Sequence, residues 1–303
     1  MSLSRFVGAF PADFYLTLVD VGSAGGTQPR WRRFAPLLSA VLFDPREPAA
    51  SGQLGRGQTR IYPVALGAAA GEAMLHVTAL ANMSSVLEPN LPLMQTFRKK
   101  GAHAEVVERV KVPVTTLNAL AAADRFAPDV LKIDTQGSEL QIIDGARGVL
   151  ADSVVLAEVE VSFLARYRDQ PLFDDIVTTM RALGFELIEL HRLKRYRAKN
   201  ALGIANVGLG GGQRAGRVAY GDAIFLQSES ALIARGGAAL LKAILALVAY
   251  GKLDIAARLL ESGRAQLDAQ VASAMERGLK AIASSRLGVG RLHSAIDWLG
   301  RRV

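Results

Sequence analysis

The residues Leu18 to Gly26 (LVDVGSAGG) join an apolar run and a single acid, Asp20, to three glycines. Glycines directly after a strand let the backbone approach a ligand and aim the amides of the next helix at it. The spacing Gly22, Ala24, Gly26 departs from the dinucleotide pattern G-x-G-x-x-G. Asp44 closes the next apolar run, 18 residues after Gly26. In a doubly wound nucleotide fold a carboxylate there accepts hydrogen bonds from both ribose hydroxyls. An Asp before a Pro is also an ordinary turn former, so Asp44 gains meaning from the glycine loop before it. Glu158 and Glu160 stand two apart in an apolar run of strand length, which puts both carboxylates on one face. His191 follows a later run, and the four histidines, His76, His103, His191 and His293, show no metal-ligand spacing.

These groups need a scaffold, and hydrophobic periodicity supplies one. Apolar runs at 15–21, 40–43, 60–66, 130–133, 154–161, 186–190 and 223–226 read as strands of one sheet. Helices are expected from about 29, and over 138–150 and 172–183, which gives the alternation of a parallel sheet covered on both faces. Between them lie two further strands, 73–78 and 105–114, a loop at 81–90 and a short helix at 92–99. In that helix Arg98, Lys99 and Lys100 would complement the dipole at its last turn. From 228 the composition shifts to Ala, Leu and Arg without Pro, and Leu240, Leu241, Ile244, Leu245 and Val248 form one helical stripe. The expected division is a catalytic domain over 1–227 and a helical extension over 228–303.

The chain has 303 residues, half of them hydrophobic and 21% charged, which excludes a disordered or low-complexity protein. Cysteine is absent, ruling out a disulfide framework, a thiolate metal site and a cysteine nucleophile. The start lacks an unbroken apolar segment with a cleavage site, and a cytoplasmic location is expected. The longest apolar stretch, 238–251, is interrupted by Lys242 and is shorter than the roughly 20 residues of a membrane span. Net charge is +8, yet Arg192, Lys194, Arg195, Arg197, Lys199, Arg214 and Arg217 fall in one stretch without any acid. That Gly-rich segment reads as a basic lid or acceptor loop suited to an anionic substrate, nucleic acid or anionic lipid.

Six segments in series, LVDVGSAGG, LFDPRE, PVALGAAAGEAMLHV, ANMSSVL, VPVTTLNAL and DVLKIDTQGSELQIIDGARGVL, resemble the FkbM-type S-adenosylmethionine-dependent methyltransferases over roughly residues 14–190. The resemblance implies a class I methyltransferase fold: a Rossmann-like seven-stranded sheet of order 3-2-1-4-5-7-6 with its last strand antiparallel. It implies S-adenosyl-L-methionine as cofactor, held by Asp20, Gly22, Ser23 and Gly26, with the ribose on Asp44 and the adenine side at Ala65 and Leu66. O-methylation of a hydroxyl on a sugar, polysaccharide or sugar-bearing metabolite is the implied activity. Asn82, Ser84 and Ser85 match a polar family loop. The signature Lys-Ile-Asp-Val-Glu-Gly stands here as Lys132-Ile133-Asp134-Thr135-Gln136-Gly137, which puts Asp134 at the end of the fourth strand and replaces a Glu by Gln136.

Glu158 and Glu160 would then lie across from Asp134. Three carboxylates together can supply a general base, with His191 as a further candidate, or hold Mg²⁺ through oxygen ligands. Two other readings stay open: an RNA methyltransferase, drawing on the charge but lacking a module of stacking aromatics, and a non-catalytic assembly factor on a degenerate domain. The extension's apolar stripes are expected to pack on the catalytic domain or to form a homo-oligomer.

Overall fold

A computed structural model describes residues 2–23, 26–50, 55–204 and 215–284. Ala24, Gly25, residues 205–214 of the Gly-rich basic segment and His293 lie outside the described residues. The strands in chain order are β1 (Leu16–Val21), β2 (Leu38–Phe43), β3 (Gln58–Tyr62), β4 (Ala65–Leu66), β5 (Gly71–Thr78), β6 (Val106–Thr115), β7 (Val130–Ile133), β8 (Leu156–Ser162), β9 (Phe185–Tyr196) and β10 (Arg217–Gln227). The main sheet runs β3-β2-β1-β7-β8-β10-β9. All pairings in it are parallel except those of β10, which is antiparallel to both β8 and β9. Numbered among themselves these seven strands have the order 3-2-1-4-5-7-6. In β1, β2, β7 and β8 every residue is buried, as expected of strands covered on both faces.

Three expectations are corrected. The run 60–66 is two strands, because Pro63 has no N–H for a ladder and the chain leaves the main sheet there. Past the break, β4 joins β6 and β5 in a separate sheet of order β4-β6-β5. The helix expected over 92–99 is instead α2 (Leu91–Gln95), while Lys99 adopts a left-handed φ of 64° and α3 (Lys100–Ala104) begins afresh. Lys100 therefore opens a helix rather than closing one, and dipole complementation cannot explain it. Finally, β9 extends to Tyr196, so Arg192, Lys194 and Arg195 belong to a strand; it sits at the sheet edge, where outward charges break the hydrophobic signal.

The two faces of the sheet are filled differently. One packs Val19, Val41, Leu131, Ile133, Ala157 and Val159 against α4 (Leu117–Ala123), α5 (Glu139–Gly145), α6 (Arg147–Asp152) and α7 (Phe173–Ala182). The other packs Leu16, Leu18, Leu38, Val130, Leu156 and Ile224 against α1 (Ser2–Val7), a 3₁₀ helix at Pro29–Leu37, and α8 (Glu229–Ala234), α9 (Gly237–Ala249), α10 (Leu253–Ser262) and α11 (Ala269–Ala283). Helices α8 to α11 thus belong to the second layer of the sheet, with α9 buried along most of its length. Burying Leu240, Leu241, Ile244, Leu245, Leu247 and Val248 contributes on the order of 10 kcal/mol. The stripe that suggested a second subunit faces the chain's own sheet. No helix among the described residues is long and apolar enough to cross a membrane.

Candidate functional site

Register brings ionisable groups together at the carboxyl ends of the central strands. Asp20 on β1 pairs with Lys132 on β7, which pairs with Glu158 on β8; one step further out Glu160 on β8 faces Asp222 on β10. Partners in register point to one face, so a buried charged row lies beneath the strand ends and a second row at the rim. Burying this many charges is tolerated only because they pair. The Lys132 ammonium lies 2.9 Å from Asp20 and 3.9 Å from Asp134. Burial pushes the Asp20 carboxyl above its usual range against the pull of Lys132.

Above these ends opens a cleft of about 670 Å³, within the range of small-molecule sites. Its floor is the turn after β1. Gly22 has φ +80°, and a Cβ there would stand 2.0 Å from the Asp134 carbonyl oxygen. Only glycine lets β1 and β7 end this close together. Gly22 and Ser23 donate their N–H groups to the Phe43 carbonyl at 2.9 and 3.3 Å, which seats the turn against the end of β2. Asp20, Gly22, Ser23, Gly26, Asp44, Ala65 and Leu66, the expected cofactor set, all line the cleft. Asp44 is buried; its Oδ1 accepts the Arg46 N–H at 2.9 Å, and Oδ2 makes no hydrogen bond among the described residues. Phe43, Pro45, Val64 and Leu66 give this end an apolar wall. An acceptor carboxylate beside an apolar slot fits a nucleoside.

At the other end stand Asp134 and Glu160, joined by Gln136. Its amide Nε2 donates to Asp134 at 2.8 Å and to Glu160 at 3.1 Å, while its Oε1 accepts from Arg166 at 3.2 Å. Gln136 has φ 62°, an uncommon strained conformation for a non-glycine residue that clusters at functional sites. The buried carboxylate of Glu139 holds the turn by accepting from Thr135 N–H at 2.9 Å and from Gly137 N–H at 2.9 Å. Arg166, fully buried, pairs with Glu160 and lies 4.2 Å over the ring of Tyr220. Tyr196, Tyr220, Lys100 and the 81–86 loop, with Asn82, Ser84 and Ser85, complete this end. Arg166, Glu139 and the two tyrosines escaped the sequence reading. A buried Arg resembles a surface Arg in sequence, and here only proximity to Glu160 reveals it.

Glu158 and His191 are placed elsewhere. Glu158 points to the same face as Glu160 but lies deeper, where Arg192 approaches to 2.8 Å, Arg30 to 3.5 Å and the Tyr250 hydroxyl donates at 2.6 Å. Burial opposes its ionisation, yet Arg30, Arg192 and Tyr250 outweigh burial and hold it at about 2. His191 sits beside this cluster, 3.4 Å from Arg30, and burial lowers its pKa to about 4. Neither residue lines the cleft. The donor set Asp134, Glu158 and Glu160 does not fit Mg²⁺: Gln136 and Arg166 occupy the first and third, and two guanidinium groups occupy the second. Glu158, His191 and Asp222 do lie close together, but Arg192 binds both carboxylates.

Among known proteins, the family model described as Methyltransferase FkbM domain matches residues 43–187. The match begins one residue before Asp44, includes Asp134, Gln136 and Glu160, and ends inside β9. No curated protein and no solved structure gives a significant match.

Proposed function

We propose that this chain, which carries an FkbM methyltransferase domain, is an S-adenosylmethionine-dependent O-methyltransferase acting on a hydroxyl of a sugar or sugar-bearing acceptor. The observation that carries it is the cleft itself: a glycine turn at the end of β1, a buried Asp44 at the end of β2 with one carboxylate oxygen unbonded among the described residues, and Asp134 opposite. Bound there, the cofactor would supply a methyl group activated by its sulfonium. Asp44 would accept hydrogen bonds from ribose hydroxyls, and Ala65 and Leu66 would line the base. Asp134, the most exposed carboxylate of the central cluster, takes up the proton of the acceptor hydroxyl. Glu160 and Arg166 position it through Gln136. Tyr196 and Tyr220 offer flat faces, and Asn82, Ser84 and Ser85 offer hydrogen bonds, a combination suited to a polyhydroxylated ring.

Calorimetry with S-adenosylhomocysteine tests the first step. Asp44→Ala should weaken binding by roughly 1–3 kcal/mol, the loss expected for a hydrogen-bonded charged group. Asp134→Asn should leave that affinity nearly intact while abolishing most turnover. Wild-type affinity in the Asp44 variant contradicts the ribose assignment, and no binding to the wild-type chain would favour a non-catalytic protein on this fold.

A further inference from the structure

Of the cations that line the cleft, Arg32 and Lys100 have no ion pair among the described residues; Arg32 is exposed, whereas Lys100 is half-buried. Lys132 answers Asp20 and Asp134, Arg166 answers Glu160, and Arg46 lies 3.7 Å from Asp44. Lys100 lines the same cleft, half-buried, with its ammonium 4.7 Å from the centre of the Tyr196 ring and no ion pair among the described residues. The backbone holds it there: Arg98 N–H donates to the Arg197 carbonyl at 2.9 Å, Lys199 N–H donates to the Thr96 carbonyl at 2.8 Å, and Phe97 bridges Ala198. This pairing lays the start of α3 against the end of β9 and brings the exposed Arg98, Lys99, Lys194, Arg197 and Lys199 into the same two segments as Lys100 and Tyr196, none of the five in an ion pair among the described residues. Burial together with the nearby charges of Arg166 and Lys194 lowers the Lys100 pKa. A desolvated ammonium among like charges has an unmet demand for an anion. The basic residues of these two segments raise the local concentration of anions.

We propose that the acceptor carries an anionic group, a carboxylate or a phosphate, and that Lys100 binds this group above Tyr196 while the hydroxyl to be methylated faces Asp134. The proposal rests on the methyltransferase reading for the hydroxyl but not for the anion site. The two ends of the acceptor are told apart by charge: carboxylates repel the anion from the Asp134 end, and Lys100 attracts it at the other.

Binding of glucuronate, glucose 6-phosphate and methyl glucoside to the full chain, with S-adenosylhomocysteine present, is measured by calorimetry and saturation-transfer NMR. At least one acidic sugar should bind roughly tenfold more tightly than the neutral one, the scale of one charge-assisted hydrogen bond. Which of them does so distinguishes carboxylate from phosphate. Lys100→Gln should remove the preference without changing the affinity for methyl glucoside, which also reports that the variant is folded, and Lys100→Arg should retain it. Equal affinity for acidic and neutral sugars, a preference that survives in Lys100→Gln, or no sugar binding at all overturns the proposal. So does a short single-stranded RNA that binds through Lys100 while neither acidic sugar binds. If the acidic preference depends on Lys100 but S-adenosylhomocysteine does not bind, the anion site stands and the methyltransferase reading falls.

Discussion

Gln136 is the residue on which the site's charge depends. A Glu in its place would set a carboxylate where an amide now donates to Asp134 at 2.8 Å and to Glu160 at 3.1 Å. Three carboxylates in contact cannot all ionise, so one would bind a proton at neutral pH. The folded-state pKa of the introduced acid would be raised, so its stabilising contribution is present at low pH and is lost as pH rises. Gln136→Glu should therefore match the wild-type stability most closely near pH 5 and fall furthest behind near pH 8, by urea denaturation at each pH. A constant difference across that range would show that Gln136 does not separate the two carboxylates. The replacement was visible in sequence. Its meaning was not, because Arg166, which fixes the amide orientation by donating to Oε1 at 3.2 Å, is 30 positions away.

At the scale of elements, the Glu158 cluster ties the cleft to the second layer. Arg30 comes from the 3₁₀ helix after the glycine turn, Arg192 from β9, and Tyr250 follows α9; their contacts converge on one carboxylate. Arg30 also lies 4.2 Å over the Tyr250 ring. Because Glu158 is held at about 2 rather than 4.5, its contribution is present above pH 4.5 and is lost as pH falls toward 2. The shift corresponds to about 3 kcal/mol. Glu158→Gln should cost about that much at pH 7, and the difference from wild type should shrink as pH falls from 4.5 to 2. A difference that stays constant through that window would mean that the carboxylate is not stabilised by the two arginines. The strand periodicity predicted that Glu158 and Glu160 share a face, and they do. Depth along the strand, which decides that Glu160 reaches the cleft and Glu158 does not, depends on how far each neighbouring strand extends.

For the whole molecule, the helices after 228 are structural partners of the sheet. Leu240, Ile244 and Val248 share a core with Leu16, Leu18 and Val130, and Lys242 donates to Asp129 at 2.8 Å just before β7. Removing residues from 228 onward should expose the part of that sheet face covered by α8 to α11 and forfeit on the order of 10 kcal/mol, comparable to the net stability of a domain. The truncated chain should lose near-ultraviolet circular dichroism and cooperative unfolding, or aggregate. A monomeric truncation that unfolds cooperatively at the wild-type midpoint would show that the main sheet is self-sufficient.

The spatial order of the main sheet was what the family resemblance implied; the sequence by itself located the strands along the chain, the glycine turn, the acids Asp20 and Asp44, and Asp134 at a strand end. Those features are local: apolar runs bounded by turn residues, and acids fixed to their ends. Only the tertiary structure decided that Asp134 and Glu160 lie together at the cleft while Glu158 and His191 lie behind them, that Arg166 pairs with Glu160, and that Lys100 faces the cleft with no ion pair among the described residues. It alone showed that α8 to α11, with α1 and the 3₁₀ helix, cover one face of the sheet. Each of these depends on which distant groups share a small desolvated volume. An amphipathic stripe records that a surface must be buried, but not which surface will cover it.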